Sequence, residues 1–255
     1  MTVLDTFRLD GKNALVTGSH KGLGAAIAVA LAEAGANVVC HGRSNEAGES
    51  SAKIRAMGRK TIYIAGDVAD ARVCEELVAR TTKEFGSIDI LVNNAGIIRR
   101  APAEEYSADD WAEVIAVNLT AVHRLSQLAG RKMLQQGSGG KILNIASILS
   151  FQGGIRVPAY SAAKGGVAQL TRALANEWAS KGINVNAIAP GYMETDNTEA
   201  LRNDANRNRD ILSRIPAGRW GKPEDLAGSA VFLCSAAADY VHGQVFAVDG
   251  GWLAR

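Results

Sequence analysis

Tyr160 and Lys164 lie four residues apart in the run Tyr160-Ser-Ala-Ala-Lys164, so a helix there sets a phenol and an ammonium on one face. A phenol with an ordinary pKa of about 10 is a poor base near neutrality, but a neighbouring ammonium favours the phenolate. Such a pair can remove a hydroxyl proton while hydride leaves the same carbon, or return the proton during reduction. Ser147 ends a β-branched run, where its hydroxyl can hydrogen-bond the reacting oxygen. Each residue alone has an ordinary reading: a serine in a turn, or a Tyr/Lys pair on an amphipathic helix. The chemistry rests on their conjunction.

A second constellation precedes them. Thr17-Gly-Ser-His-Lys-Gly-Leu-Gly24 follows a strand-like run and opens a helical one. In that context Gly18 allows a tight turn and Gly22 lets the backbone approach a pyrophosphate. Gly24 lets helix and sheet pack closely, and the helix start offers free N–H groups from Ser19, His20, Lys21 and Leu23. The second strand ends in Val38-Val-Cys-His-Gly-Arg43, with no Asp or Glu to hold a ribose 2′-hydroxyl. Arg43 and Lys21, with help from His20 and Ser44, are suited to a 2′-phosphate, which favours NADP(H) while leaving NAD(H) open. Asp67 and Val68, after the third strand, are placed to hold the adenine edge.

These residues need a frame, and the chain supplies one. Residues 13–17, 37–40, 61–65, 88–92, 141–146, 183–189 and 245–248 read as strands. Helical patterns cover 23–33, 45–57, 71–85, 108–136, 160–180 and 223–235. The alternation predicts an α/β, doubly wound, Rossmann-type sheet of about seven parallel strands with helices on both faces. No linker, repeat or low-complexity tract divides the chain, so 1–255 is expected to be a single dinucleotide-binding oxidoreductase domain. Residues 192–214, charge-dense with Arg202, Arg207, Arg209 and Arg214, read either as a solvated helix or as a mobile lid.

Composition bounds the partners. Twenty-eight Lys and Arg against twenty-six Asp and Glu give +2, far from the basic balance of a nucleic-acid binder. Cys40, Cys74 and Cys234 are scattered, odd in number and outside any C-x-x-C pair, so no disulfide framework and no metal site is expected. The amino-terminal residues lack a signal-like apolar run, and no stretch is long enough for a bilayer crossing, so a cytoplasmic protein without membrane attachment is expected.

Taken together, the order and spacing of the glycine cradle, Ser147, Tyr160 and Lys164 resemble the short-chain dehydrogenase/reductase family, over nearly the whole chain. The resemblance implies an NAD(P)-dependent oxidoreductase in which Tyr160 and Lys164 also meet the cofactor and Lys164 holds the nicotinamide ribose. It implies that Asn118 is a fourth catalytic residue, supporting a water-mediated proton relay. Asn94, Ala95 and Gly96 would line the cofactor, as would Pro190, Gly191 and Thr195 on the nicotinamide side. The runs Asn93–Arg100, Ala146–Pro158, Arg214–Gly221 and Val248–Arg255 are similar to members that act on sugar acids.

A sugar-acid carboxylate suits the two-pronged donor of arginine. Arg156, between Ser147 and Tyr160, is the leading candidate, with Arg99, Arg100 and Gln152 also at the expected mouth. Sugar-acid members of uronate breakdown are associated with NAD, a departure from the Gly42-Arg43 reading. The resemblance also implies a homotetramer, for which Trp252 and Leu253 would suit an interface, although burial within one subunit is as good a reading. Two other functions stay open: a 3-oxoacyl-thioester reductase on the same scaffold, and a dinucleotide-sensing, non-catalytic protein.

Overall fold

A computed structural model describes residues 2–255. Seven strands form one sheet in the order β3-β2-β1-β4-β5-β6-β7, every neighbouring pair parallel. They are β1 (Asn13–Val16), β2 (Asn37–Gly42), β3 (Thr61–Ala65), β4 (Ile90–Asn93), β5 (Gly140–Ile145), β6 (Ile183–Pro190) and β7 (Val245–Val248). Helices cover both faces, so β1, β4 and β6 are buried from end to end, asparagines Asn13, Asn93, Asn184 and Asn186 included.

One face packs α1 (Gly22–Glu33) and α9 (Ala227–Cys234) on the sheet, through Ile27, Leu31, Leu226 and Leu233. The other packs α3 (Ala71–Phe85), α5 (Ala121–Gln136) and α6 (Pro158–Trp178), through Leu77, Leu125, Met133 and Trp178. Local signals set the ends. The Asp70 and Ser107 side chains accept N–H groups at the starts of α3 and α4 (Ala108–Ile115), and left-handed Gly86 and Gly137 close α3 and α5.

Three expectations change. The helix expected from 45 begins only at Glu49, as α2 (Glu49–Ala56), because Gly48 packs against the His20 carbonyl and holds the preceding loop out of helical geometry. The long helix over 108–136 is broken by a π-helical turn at Ala116–Thr120, where the Ala121 N–H reaches back to Ala116 O. The run Ala116-Val-Asn-Leu-Thr120 holds no proline or glycine, so nothing local marks the turn. Residues 223–226 form a 3-10 turn before α9. The charge-dense segment holds a 3-10 turn (Asp196–Thr198) and two short helices, α7 (Glu199–Asn203) and α8 (Ala205–Leu212).

The strand order reverses between β1 and β4, and the crevice at such a switch point, beyond the strands' carboxyl ends, is where doubly wound sheets hold ligands. Away from the crevice, α5 and α6 meet closely where a Cβ on Gly130 would lie 2.6 Å from the Trp178 ring. Nothing lies within 4 Å of one on Gly165. Gly165→Ala should therefore raise the melting temperature by about 2–4 °C, from a helix-propensity gain near 1 kcal/mol. Gly130→Ala should lower it despite the same gain, and equal shifts in a thermal melt would refute this account of the α5/α6 contact.

Candidate active site

Ser147 leaves β5 in extended geometry and caps the 3-10 turn Ile148–Ser150, its Oγ accepting from Leu149 N at 3.1 Å. Pro158 sits in the first turn of α6, where its missing N–H costs nothing, and brings Tyr160 and Lys164 in one turn later. Burial pushes the Tyr160 phenol above its usual value, against a hydrogen bond with Ser147 and the positive charge of Arg100, both of which lower it. Burial also holds Lys164 down, at about 8. Its Nζ donates to Ile145 O at 2.5 Å and lies 5.6 Å from the Tyr160 ring centroid. The expected lowering of the phenol by Lys164 is thus not what the site displays: the two groups are adjacent, but burial favours the neutral form of each.

Asn118 is fully buried inside the π turn. Its amide clasps one backbone partner, donating to Ile97 O at 2.8 Å and accepting from Ile97 N at 2.9 Å. The side chain pins the segment after β4 to the turn, while the turn's wider bonding pattern is of the kind that recurs at functional sites.

A cavity of about 680 Å³ runs along the strands' carboxyl ends. Gly18, His20, Lys21, Gly22, Leu23, Gly24, Arg43, Asp67, Val68, Asn94, Ala95, Gly96, Pro190, Gly191 and Thr195 line it, together with Ser147, Tyr160 and Lys164. The cradle is built for close approach. A Cβ on Gly24 would overlap Gly18 O and Asn94 Nδ2, and the Asn94 amide donates to Thr17 O and Gly18 O at 2.8 and 3.0 Å. Ser19 is a correction: it is fully buried, its N–H donates to His41 O and its Oγ to Val16 O. It shapes the turn and offers nothing to a ligand. His41, also buried, clasps the turn from β2, its Nδ1 accepting from Gly18 N at 3.1 Å while Nε2 meets Gly66 O at 3.0 Å.

Among the expected substrate contacts, Gln152, Arg99 and Arg100 line the cavity and Arg156 does not. Arg156 is exposed and has φ +64, the one non-glycine residue in the left-handed region among those described. That backbone turns the side chain away from the mouth while its carbonyl accepts from Ala101 N at 3.1 Å. Arg99 is held by Glu113 at 2.9 Å and by Asp110 at 3.4 Å, so its charge is largely balanced. Arg100 makes no ion pair among the described residues; its Nη2 donates to Asn197 O at 3.0 Å.

Sequence reading missed Arg207, Arg214 and Trp252 as lining residues, and Asp196, which pairs with Lys21. The charge density of 192–214 was the one signal for Arg207, Arg214 and Asp196, and Trp252 had none. Trp252 packs within the subunit, 4.7 Å from Tyr192 by ring centroids and with the Arg214 guanidinium 4.0 Å above it, so its surface-interface reading is withdrawn.

Residues 18–253 match the family model described as enoyl-(acyl carrier protein) reductase. The 2-dehydro-3-deoxy-D-gluconate 5-dehydrogenase of Dickeya dadantii is 55% identical over 99% of this chain and 100% of its own length. The gluconate 5-dehydrogenase of Gluconobacter oxydans is 43% identical, over 97% and 96%. Among solved structures, the gluconate 5-dehydrogenase of Burkholderia cenocepacia, in complex with NADP and tartrate, superposes with TM-score 0.95 at 42% identity over the full length of both chains. The parallel sheet, the glycine cradle and the Ser147, Tyr160 and Lys164 cluster agree with these matches throughout: the chain belongs to the short-chain dehydrogenase/reductase family of NAD(P)-dependent oxidoreductases.

Proposed function

We propose that this protein transfers hydride between NADP(H) and a hydroxy or keto sugar acid of the gluconate or 2-dehydro-3-deoxygluconate type. The observation that carries the substrate class is the charge of the cavity wall. Arg100, Arg207 and Arg214 line it, and its only carboxylates among the described residues are Asp67 and the Lys21-paired Asp196, at the cradle end. A wall of that sign suits an anionic substrate rather than the neutral chain of an acyl thioester. The names of the Dickeya and Gluconobacter relatives, and the tartrate held by the Burkholderia one, support the same class.

Bound NADP would supply the hydride acceptor and, when oxidised, a positive charge. The cradle at Gly18, His20, Lys21, Gly22, Leu23 and Gly24 would hold its phosphates, Arg43 and Lys21 the 2′-phosphate, and Asp67 and Val68 the adenine. Asn94, Ala95, Gly96, Pro190, Gly191 and Thr195 would line the remainder, and Lys164 would hold the nicotinamide ribose. Ser147 orients the reacting oxygen, and Tyr160 takes or returns its proton. Asn118, with both amide groups bonded to Ile97, acts by fixing the π turn. Arg100, whose charge reaches Tyr160, is the carboxylate partner in place of Arg156.

We further propose that 192–214 works as a lid within a single-domain chain, since adjacent Asp196 and Asn197 are tied to opposite walls by Lys21 and Arg100. A homotetramer fits exposed Trp111 on α4, Leu134 on α5 and Phe246 on the edge strand β7. A cytoplasmic setting fits three free, buried cysteines.

With keto sugar acids and aldonates supplied beside both cofactors, turnover should require a carboxylate on the substrate, and equal turnover of neutral polyols or acyl thioesters would refute the substrate class. Arg100→Gln should raise KM for the best sugar acid about 10–100-fold, the size of a lost charged hydrogen bond, while Arg156→Ala stays within about twofold. The reverse ranking would restore Arg156.

Tyr160→Phe should lower kcat by about 10²–10⁴-fold with little change in the cofactor Kd. Unchanged turnover would remove the phenol from the mechanism.

Lys164 makes a prediction about stability. Its folded value of about 8 lies below its ordinary 10.5, so the unfolded chain binds more protons between those values and wild-type stability rises with pH across that window. Lys164→Met, free of this cost, should melt higher than wild type at pH 7, with the gap closing toward pH 10.5. A lower melting temperature at pH 7 would mean that the bond to Ile145 O outweighs the cost of burial.

A further inference from the structure

The tip of β2 is enclosed by His20 of the cradle and by Tyr63, a residue with no part in the chemistry above. Gly42 is buried; a Cβ built on it would overlap Tyr63 Oη and lie 2.8 Å from His20 Nδ1. Tyr63 arrives from β3, where it stands in register with Cys40, and its hydroxyl donates to Ser44 O at 2.8 Å. The loop beyond then doubles back, and a Cβ on Gly48 would overlap the His20 carbonyl oxygen. Arg43 therefore lies between two fixed points while its own side chain stays exposed. His20 Nδ1, on the inner side, is buried with no partner among the described residues.

We propose that Tyr63 is a positioning residue that sets the choice between NADP(H) and NAD(H), acting through Gly42 and the Arg43 loop. Two effects of the same sign follow from its place. Its hydroxyl, with the His20 ring, fills the space a side chain at 42 would need, so a carboxylate there, which would hold a ribose 2′-hydroxyl and repel a 2′-phosphate, would have to displace them. The bond to Ser44 O fixes the backbone beside Arg43, so less freedom is lost when the guanidinium meets a phosphate. Both effects act on the 2′-substituent and neither touches the nicotinamide end, so selectivity should move without the chemical step.

The proposal rests on the NADP reading, and the experiment separates the two. NADPH and NADH Kd values are measured for wild type and Tyr63→Phe by nicotinamide fluorescence, beside thermal melts. Tyr63→Phe keeps the ring and removes only the hydroxyl. It should weaken NADPH about 3–10-fold, the range of one neutral hydrogen bond, and leave NADH within about twofold. In parallel, Gly42→Asp alone should lose NADPH affinity and gain no NADH affinity. The same substitution combined with Tyr63→Phe, which removes the tighter of the two overlaps, should gain NADH affinity.

A wild type that binds NADH as tightly as NADPH would sink the cofactor reading itself. A wild type that prefers NADPH, with Tyr63→Phe weakening both cofactors equally or neither, would overturn only the role of Tyr63. So would a Gly42→Asp single variant that takes up NADH as well as the double variant does.

Discussion

The reaction centre depends on a chain of buried side-chain hydrogen bonds that crosses the sheet beneath it. Asn93 on β4 donates to Ser126 Oγ on α5 at 3.0 Å and to Asn144 Oδ1 on β5 at 2.8 Å. Asn144 donates to Thr171 Oγ1 on α6 at 2.9 Å, and Thr171 donates back to Val167 O. All four residues are essentially sealed from solvent, where an unmade bond carries its full desolvation cost and a displaced partner is not replaced by water. Two strands and two helices are thereby held in one relative position. α6 is the helix that presents Tyr160 and Lys164, so the distance from their face to the end of β5 is set two turns deeper, by amides that touch no ligand.

The electrostatics above that network follow from the same burial. Burial raises the Tyr160 phenol and holds Lys164 at about 8, so near neutrality the phenol keeps its proton and the amine, though weakened, still carries charge. Charge in the cavity is instead carried at its edges, on Arg100, Arg207 and Arg214 at one end and on Lys21 and Arg43 at the other. Those side chains reach solvent and act on whatever anion enters, while the proton-transfer groups stay in low dielectric, where small changes in nearby charge move them most.

Much of this was legible in the sequence for identifiable reasons. Strands buried on both faces announce themselves as β-branched runs, and the boundaries of β3, β7 and α3 were read correctly because turn residues flank them. Most of the glycine cradle was readable because its spacing answers a steric need. What escaped were features set by distant partners. Nothing local to Arg99 discloses Glu113, nothing local to Ser19 discloses His41, and nothing local to Arg156 discloses its left-handed backbone or the tie from its carbonyl to Ala101 N. The late start of α2 is a packing fact about Gly48 and His20, two positions that a helical pattern does not connect.

The π turn at Ala116–Thr120 also has a consequence for how the two helices around it are aimed. A surplus residue in a helix rotates everything before it by about 100° relative to everything after, since a turn takes 3.6 residues. α4 and α5 are therefore phased independently along what is nearly one axis. α5 keeps Leu125, Ser126 and Met133 toward the sheet, while α4 swings Asp110 and Glu113 round to meet Arg99 at the mouth. With an unbroken helix those two carboxylates would face another quarter of the compass, and Arg99 would stand in the cavity wall with its charge unbalanced.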